Sequence, residues 1–350
     1  MTRPRGGHDR LLLPRYVVAT ADCRAEHVGE VGGKAAGLGS LLRAGQRVPG
    51  SFVIAASAFA EYVQSRAAGP GGAASQQRQA AGEEVRRSIE RSYAALGGRH
   101  GADIPVAVRS SATIEDSADA SCAGQFMTFL GARGADEVIG KVEECWISAF
   151  APHLESYRSQ RGIAEAGQSV AVIVQELVDA RVSGVMFTQH PRTADRSLVV
   201  IESSYGLGEA VVGGEVSPDL FEVNKITGQV TQRSLGSKAA EHRLPTDGRL
   251  VQRRPVEAAR REAWSITDEE IAALLAMATE LESALGRGLD VEWAIGTVES
   301  DGPGESLFAL QVRPITAEPA HRARGAAPAG SGIDLILGRL SGRILDGGAP

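Results

Sequence analysis

Nine consecutive residues, Val170-Ala171-Val172-Ile173-Val174-Gln175-Glu176-Leu177-Val178, are apolar and largely β-branched apart from one polar pair. Side chains this stiff and this uniformly apolar must be covered on both faces, so the run reads as a central strand around which the rest of the chain is arranged. After the short Asp179-Ala180-Arg181 link, Val182 to Thr188, Leu198 to Ile201, Leu220 to Val223 and Gln229 to Gln232 read as further strands of a mostly antiparallel sheet. Thr267 and Glu270 form a capping box, and Ile271, Leu274, Leu275, Ala278, Leu281 and Leu285 mark a helix that stops at Gly286. Two strands follow, Leu289 to Ile295 and Leu307 to Val312, joined by a polar Gly-rich hairpin.

Toward the N-terminus, Tyr16 to Val18 reads as a short strand and Gly32 to Leu42 as a helix with Ala35, Leu38, Leu41 and Leu42 on one side. Phe52 to Ile54 is extended, and Phe59, Tyr62 and Val63 mark an amphipathic helix. The Gly/Ala/Gln stretch Ala67 to Gly82 reads as a surface loop. Val106 to Val108 reads as a buried strand entering a polar loop, Arg109 to Ala123, and Val142 to Phe150 as a helix with Trp146 and Phe150 inward. After Thr316 the composition shifts to Ala, Pro, Gly and Arg, as in a linker, with a short helix expected at Ile333 to Leu345.

With 350 residues and 43% hydrophobic composition, the chain can bury the core of two lobes. A net charge of −6 with no dense Lys/Arg stripe speaks against a nucleic-acid partner. No run approaches the roughly 20 apolar residues of a membrane span, so a cytoplasmic protein with no membrane partner is expected. Cys23, Cys122 and Cys145 are isolated, as reduced thiols would be rather than a disulfide framework or a zinc site.

Four segments carry polar groups suited to phosphate chemistry. Gly32-Gly33-Lys34 places an ammonium among glycines at a helix start, where backbone donors and a cation can meet an anion; it departs from the Walker pattern and also reads as an ordinary glycine-rich helix entry. Arg109-Ser110-Ser111-Ala112-Thr113 follows a strand, with Gly124, Gln125 and Thr128 nearby: an arginine there clamps a phosphate, or pairs with Glu115 or Asp116. Asp290 and Glu292 share one strand face, as do Gln311 and Arg313 on the next, and pairing of these strands brings four polar groups together as hard ligands for Mg²⁺. The same alternation also suits a solvated face. Gln175, Glu176 and Val178 end the apolar strand with an amide and backbone groups that suit an adenine edge, or simply terminate it.

Read in order, VGGKAAGLGSLLRAG, VAVRSSATIEDSADASCAGQF, VIVQELVDARVSGVMFTQHP, SSYGLGEAVVGGEVSPD, LDVEW and LQVRPIT are spread along residues 29 to 317. Together they resemble the nucleotide-binding part of phosphoenolpyruvate synthases, pyruvate phosphate dikinases and rifampicin phosphotransferases. The resemblance implies an α+β, bilobal ATP-grasp-like fold. Its N-terminal lobe would span 14–168, its C-terminal lobe, with a mostly antiparallel sheet, 169–319, and a linker with a short helix 320–350. It also implies ATP and Mg²⁺ as cofactors. Lys34 and Arg109 would contact phosphates, Gly124 and Thr128 would lie in the phosphate-covering loop, and Gln175 with the Glu176 backbone would meet the adenine. Asp290, Glu292 and Gln311 would hold the metal side, with Gln311 and Arg313 facing the transferring phosphates. In such enzymes ATP passes its β-phosphate to a histidine on a swivelling domain. No phosphohistidine motif follows the linker, so the expectation is an ATP-dependent half whose phosphohistidine domain is a separate protein. The alternatives are a self-contained small-molecule phosphotransferase and a regulatory nucleotide-binding module.

Overall fold

The computed structural model describes residues 15–66, 73–98, 103–112, 127–148, 170–245, 251–286, 288–301 and 304–315. In chain order its first half comprises β1 (Val17–Ala19), α1 (Val28–Arg43), β2 (Ser51–Ile54), α2 (Ala56–Arg66), α3 (Ala73–Gly97), β3 (Val106–Ala112), β4 (Thr128–Ala132), α4 (Ala135–Ser148) and β5 (Val170–Glu176). The five strands form one sheet in the order β1-β2-β5-β3-β4, with antiparallel neighbours throughout. Alternation along β5 explains its composition. Val170, Val172 and Val174 pack with Phe59, Ile89, Val142 and Trp146 of α2, α3 and α4, whereas Ala171 and Ile173 face the core that contains α1.

The second half comprises β6 (Asp179–Phe187), β7 (Leu198–Tyr205), α5 (Glu209–Val212), β8 (Asp219–Asn224), β9 (Val230–Ser234), β10 (Ala240–Arg243), β11 (Gln252–Pro255), α6 (Ala258–Arg261), α7 (Asp268–Leu285), β12 (Leu289–Thr297) and β13 (Ser306–Pro314). Six strands make an antiparallel sheet in the order β13-β12-β6-β7-β8-β9, and β10 pairs with β11 separately. On one face of the large sheet Met186, Val199, Ile201, Phe221, Val291 and Val312 meet α7 and α1. Helix α7 opens with the expected reciprocal cap, in which the Glu270 amide donates to Thr267 Oγ1 and the Thr267 amide to Glu270 Oε2. Burying Ile271, Leu274 and Leu281 contributes about 1.5–3 kcal/mol each. Helix α1 lies between the two sheets, and at Gly37 it comes so close that an added Cβ would stand 2.7 Å from the Val312 carbonyl oxygen.

Three expectations are corrected. The stretch 67–82 is helical from Ala73 onward, because alanine, glutamine and arginine favour helix strongly enough to carry Gly82 inside it. Arg109, Ser110 and Ser111 lie within β3 and not in a loop, since pairing with β4 and β5 extends the strand to Ala112. Finally, β5 belongs to the first sheet and not with β6 to β9, so the chain passes between sheets at Leu177-Val178. Its composition demands two covered faces without naming the strands beside it.

Among the described residues no helix is long and apolar enough to cross a membrane. Cys23 and Cys145 are free and buried, and burial pushes both thiols up to about 12. Cys122, Phe150, residues 113–126 and the segment beyond Ile315, including the expected helix at 333–345, lie outside the described residues.

Candidate functional site

Strands β12 and β13 pair in the register Asp290 opposite Arg313 and Glu292 opposite Gln311, so these four side chains share one sheet face. It is the face turned away from α1 and α7, because the intervening Val291 and Val312 point into that core. From the first sheet, Arg109 reaches across. Its Nη2 donates to Glu292 Oε2 at 3.0 Å and to Gln311 Oε1 at 2.9 Å, while Arg313 Nε donates to Asp290 Oδ2 at 2.7 Å. Burial raises the Asp290 carboxyl above its ordinary range, more than Arg313 lowers it. Burial also acts upward on Glu292, but the charges of Arg109, Arg313 and Lys34 outweigh it and hold that carboxyl low. One buried Arg109 atom, Nε, has no hydrogen-bond partner.

Lys34 arrives from α1, where its Nζ donates to the Ser110 carbonyl at 3.2 Å. The bend that sets it there is at Gly32, whose φ of 78° and ψ of 164° interrupt the helix. A Cβ at this position would lie 2.2 Å from the Ser111 carbonyl oxygen. Close packing therefore explains this glycine. Gly32→Ala is expected to destabilise the protein by about 3 kcal/mol, the sum of a backbone region nearly closed to other residues and a clash with β3; chemical denaturation measures it.

Gln175 stands opposite Ala107 on β3 and Ser51 on β2. On β3, Ala107 and Arg109 share a face, so the Gln175 amide lies on the site side of the sheet; its buried nitrogen has no hydrogen-bond partner. Thr128 opens β4 opposite Arg109 and is exposed, lining a cleft with Leu130, Lys141, Glu209 and Val251. Val178 is buried in an apolar cluster with Ala107, Leu207, Ala294 and Phe308, which joins the two sheets beside Gln175. Gly124 lies outside the described residues.

Glu176 has a role that local pattern did not disclose. Its carboxylate accepts from the Ser300 amide at 2.8 Å and from the Ser300 hydroxyl at 2.6 Å. Two more pairs, Arg133 with Glu299 at 2.7 Å and Arg47 with Asp301 at 2.5 Å, join the same β12–β13 hairpin tip to residues beside the first sheet. The Ser204-to-Glu209 segment also enters the architecture: Glu209 begins α5, faces His242 Nδ1 at 3.2 Å and borders the cleft. Contacts this distant in sequence leave no periodic trace.

Two antiparallel sheets joined through an apolar cluster, with cationic and acidic side chains gathered beside it, make an α+β nucleotide-binding domain of the ATP-grasp kind. The sequence profile described as pyruvate phosphate dikinase, AMP/ATP-binding domain, matches residues 75–329, and the chain belongs to that family. A probable phosphoenolpyruvate synthase of Methanothermobacter thermautotrophicus is 38% identical over 327 residues, covering 87% of this chain and 46% of the relative. The prodigiosin synthesizing transferase PigC of Serratia marcescens is 36% identical over 313 residues, covering 87% of this chain and 34% of the relative. A rifampicin phosphotransferase of Streptomyces sp is 34% identical over 327 residues, covering 86% and 36%. The chain thus spans less than half the length of these relatives.

Proposed function

We propose that this chain binds Mg²⁺-ATP between its two sheets and is the ATP-using half of a phosphotransferase. It passes the β-phosphate to a histidine on a swivelling domain supplied by a partner protein. The carrying observation is the convergence of Arg109 and Arg313 on Asp290, Glu292 and Gln311. The greater length of the relatives supports further domains acting with this one.

In this reading Lys34 and Arg109 bind the polyphosphate, with Thr128 and Gly124 covering it. Gln175, the Glu176 backbone and Val178 receive the adenine, for which the unpartnered Gln175 amide nitrogen and the apolar neighbours of Val178 are suited. Asp290, Glu292 and the Gln311 amide oxygen form an all-oxygen set that fits Mg²⁺. Two carboxylates and an amide leave positions that phosphate and water would fill on such an ion. Held there, Mg²⁺ would supply neutralisation of phosphate charge. Arg313 stabilises charge on the group in transit, so catalysis is positioning and electrostatics, with no side chain assigned as acid or base.

Phosphorus NMR of the purified chain with Mg²⁺-ATP, alone and with pyruvate or rifampicin, tests the reading. ATP binding without turnover is expected in every arm until a histidine-bearing domain is added. AMP formed by the chain alone would overturn the need for a partner, and turnover only with a small molecule would replace it with direct transfer.

A further inference from the structure

Resting on the nucleotide reading above, we propose that the tip of the β12–β13 hairpin, Glu299–Asp301, positions the base-binding end of β5, with Ser300 as the positioning residue. Three consecutive residues of the tip each meet a different segment of the first half. Glu299 meets Arg133 at 2.7 Å, Ser300 meets Glu176, and Asp301 meets Arg47 at 2.5 Å. Arg133 follows β4, Glu176 ends β5 and Arg47 precedes β2, so the tip reaches across one end of the first sheet. Arg47 adds to the junction: its carbonyl accepts from the Ala309 amide at 2.9 Å, and its guanidinium stands over the Phe308 ring at 5.1 Å.

Of the three contacts, that of Ser300 weighs most. The Arg47, Asp301 and Glu299 side chains are about half exposed, and ion pairs so open to water contribute little. Glu176 is 2% exposed, and its carboxylate accepts from the Ser300 amide at 2.8 Å and the Ser300 hydroxyl at 2.6 Å. A buried carboxylate deprived of one of these donors stays desolvated and unsatisfied. The backbone beside it is already committed: the Glu176 amide donates to the Gly50 carbonyl and the Leu177 amide to the Pro105 carbonyl, both at 2.8 Å. Gly50 also leaves room for the carboxylate, since an added Cβ there would stand 3.5 Å from Glu176 Oε2. Strand alternation turns Gln175 toward the site and Glu176 to the opposite face, so Ser300 holds the strand end from behind. That hold fixes how the Gln175 amide and the Glu176 carbonyl meet a base. The tip belongs to the strands that carry Asp290, Glu292, Gln311 and Arg313, and base recognition is thereby tied to the phosphate end of the site through one hairpin.

The test is isothermal titration of the full chain in excess Mg²⁺ with two ligands, a non-hydrolysable ATP analogue and inorganic tripolyphosphate. It compares the unsubstituted protein with Ser300→Ala, Ser300→Thr and Glu176→Gln. Tripolyphosphate carries the phosphates without the base, so an effect confined to the analogue belongs to the base end of the site. Ser300→Ala is expected to weaken analogue binding about tenfold, the size of one hydrogen bond to a charged group, and to leave tripolyphosphate within about twofold. Ser300→Thr keeps both donors and is expected to recover most of the analogue affinity. Glu176→Gln gives up the charge but keeps one acceptor; it is expected to shift the same way by less, and it carries the test if Ser300→Ala does not fold.

A loss shared equally by both ligands would make the tip a structural brace and overturns the proposal. So does an analogue affinity that Ser300→Ala leaves unchanged or that Ser300→Thr fails to restore. In each of these cases the nucleotide reading stands so long as the unsubstituted chain prefers the analogue to tripolyphosphate. An unsubstituted chain that binds neither ligand, or both alike, overturns the two together.

Discussion

Arg313→Ala is expected to lower phosphoryl transfer by about three orders of magnitude or more, while nucleotide affinity falls far less. Arg313 sits on β13 with its Nε on Asp290, and its side chain is 41% exposed, so truncation disturbs little of the core. In the proposed function its charge would matter most when charge moves through the transferring group, and binding would be shared with Lys34, Arg109 and the metal side of the site. The substitution also leaves Asp290 without its guanidinium, which adds a modest loss of metal-free stability but no new contact to the nucleotide. AMP formation, followed by phosphorus NMR with whichever acceptor supports turnover, reads the first effect, and analogue titration reads the second. Unchanged AMP formation would remove Arg313 from the transfer step. An equal loss of affinity and turnover would make it a binding residue instead.

The second large effect concerns stability. Lys238 and Asp219 are both fully buried and paired, and Asp219 also accepts from the Gly236 amide, the Ser265 amide and the Ser265 hydroxyl. Ser265 Oγ lies 2.7 Å from Ser203 Oγ on β7. This network fastens the segment before β10 and the approach to α7 onto the large sheet. Lys238→Met is expected to cost about 3–5 kcal/mol, because it strands a buried carboxylate. The thermal midpoint should fall on the order of 10 °C. Adding Asp219→Asn removes the stranded charge and should recover part of the loss. A single substitution that leaves the midpoint unchanged would show that the hydrogen bonds alone satisfy Asp219.

Sequence pattern reached the parts of this fold that local physics governs. The period-two spacing of Asp290 with Glu292 and of Gln311 with Arg313 is what places all four on one face, and the Thr267–Glu270 cap marks where α7 begins. What lay beyond reach was long-range. Nothing around Arg109 announces a bond to Glu292, 183 residues away, and nothing in Val-Gln-Glu tells that the Glu176 carboxylate clasps Ser300. Arg109 to Ser111 read as loop because hydroxyl-rich segments favour turns, whereas two neighbouring strands supply the ladder that overrides this preference. Glycines were the most ambiguous letters. The Gly32 bend and the close approach at Gly37 are packing solutions, yet in sequence they are indistinguishable from a phosphate cradle.

The place of β5 has a consequence for how the molecule is made. Because β5 lies between β2 and β3, the first sheet is two unconnected strand pairs until residues 170–176 are available. During synthesis the N-terminal half must wait, with facing backbone edges of β2 and β3 unpaired, for a strand encoded midway along the chain. Closure of the sheet is then a long-range event, slow to nucleate and exposed to mispairing. A fragment ending at 168 would lack its own centre and would be expected to aggregate, whereas one extended past Glu176 carries every strand its first sheet requires.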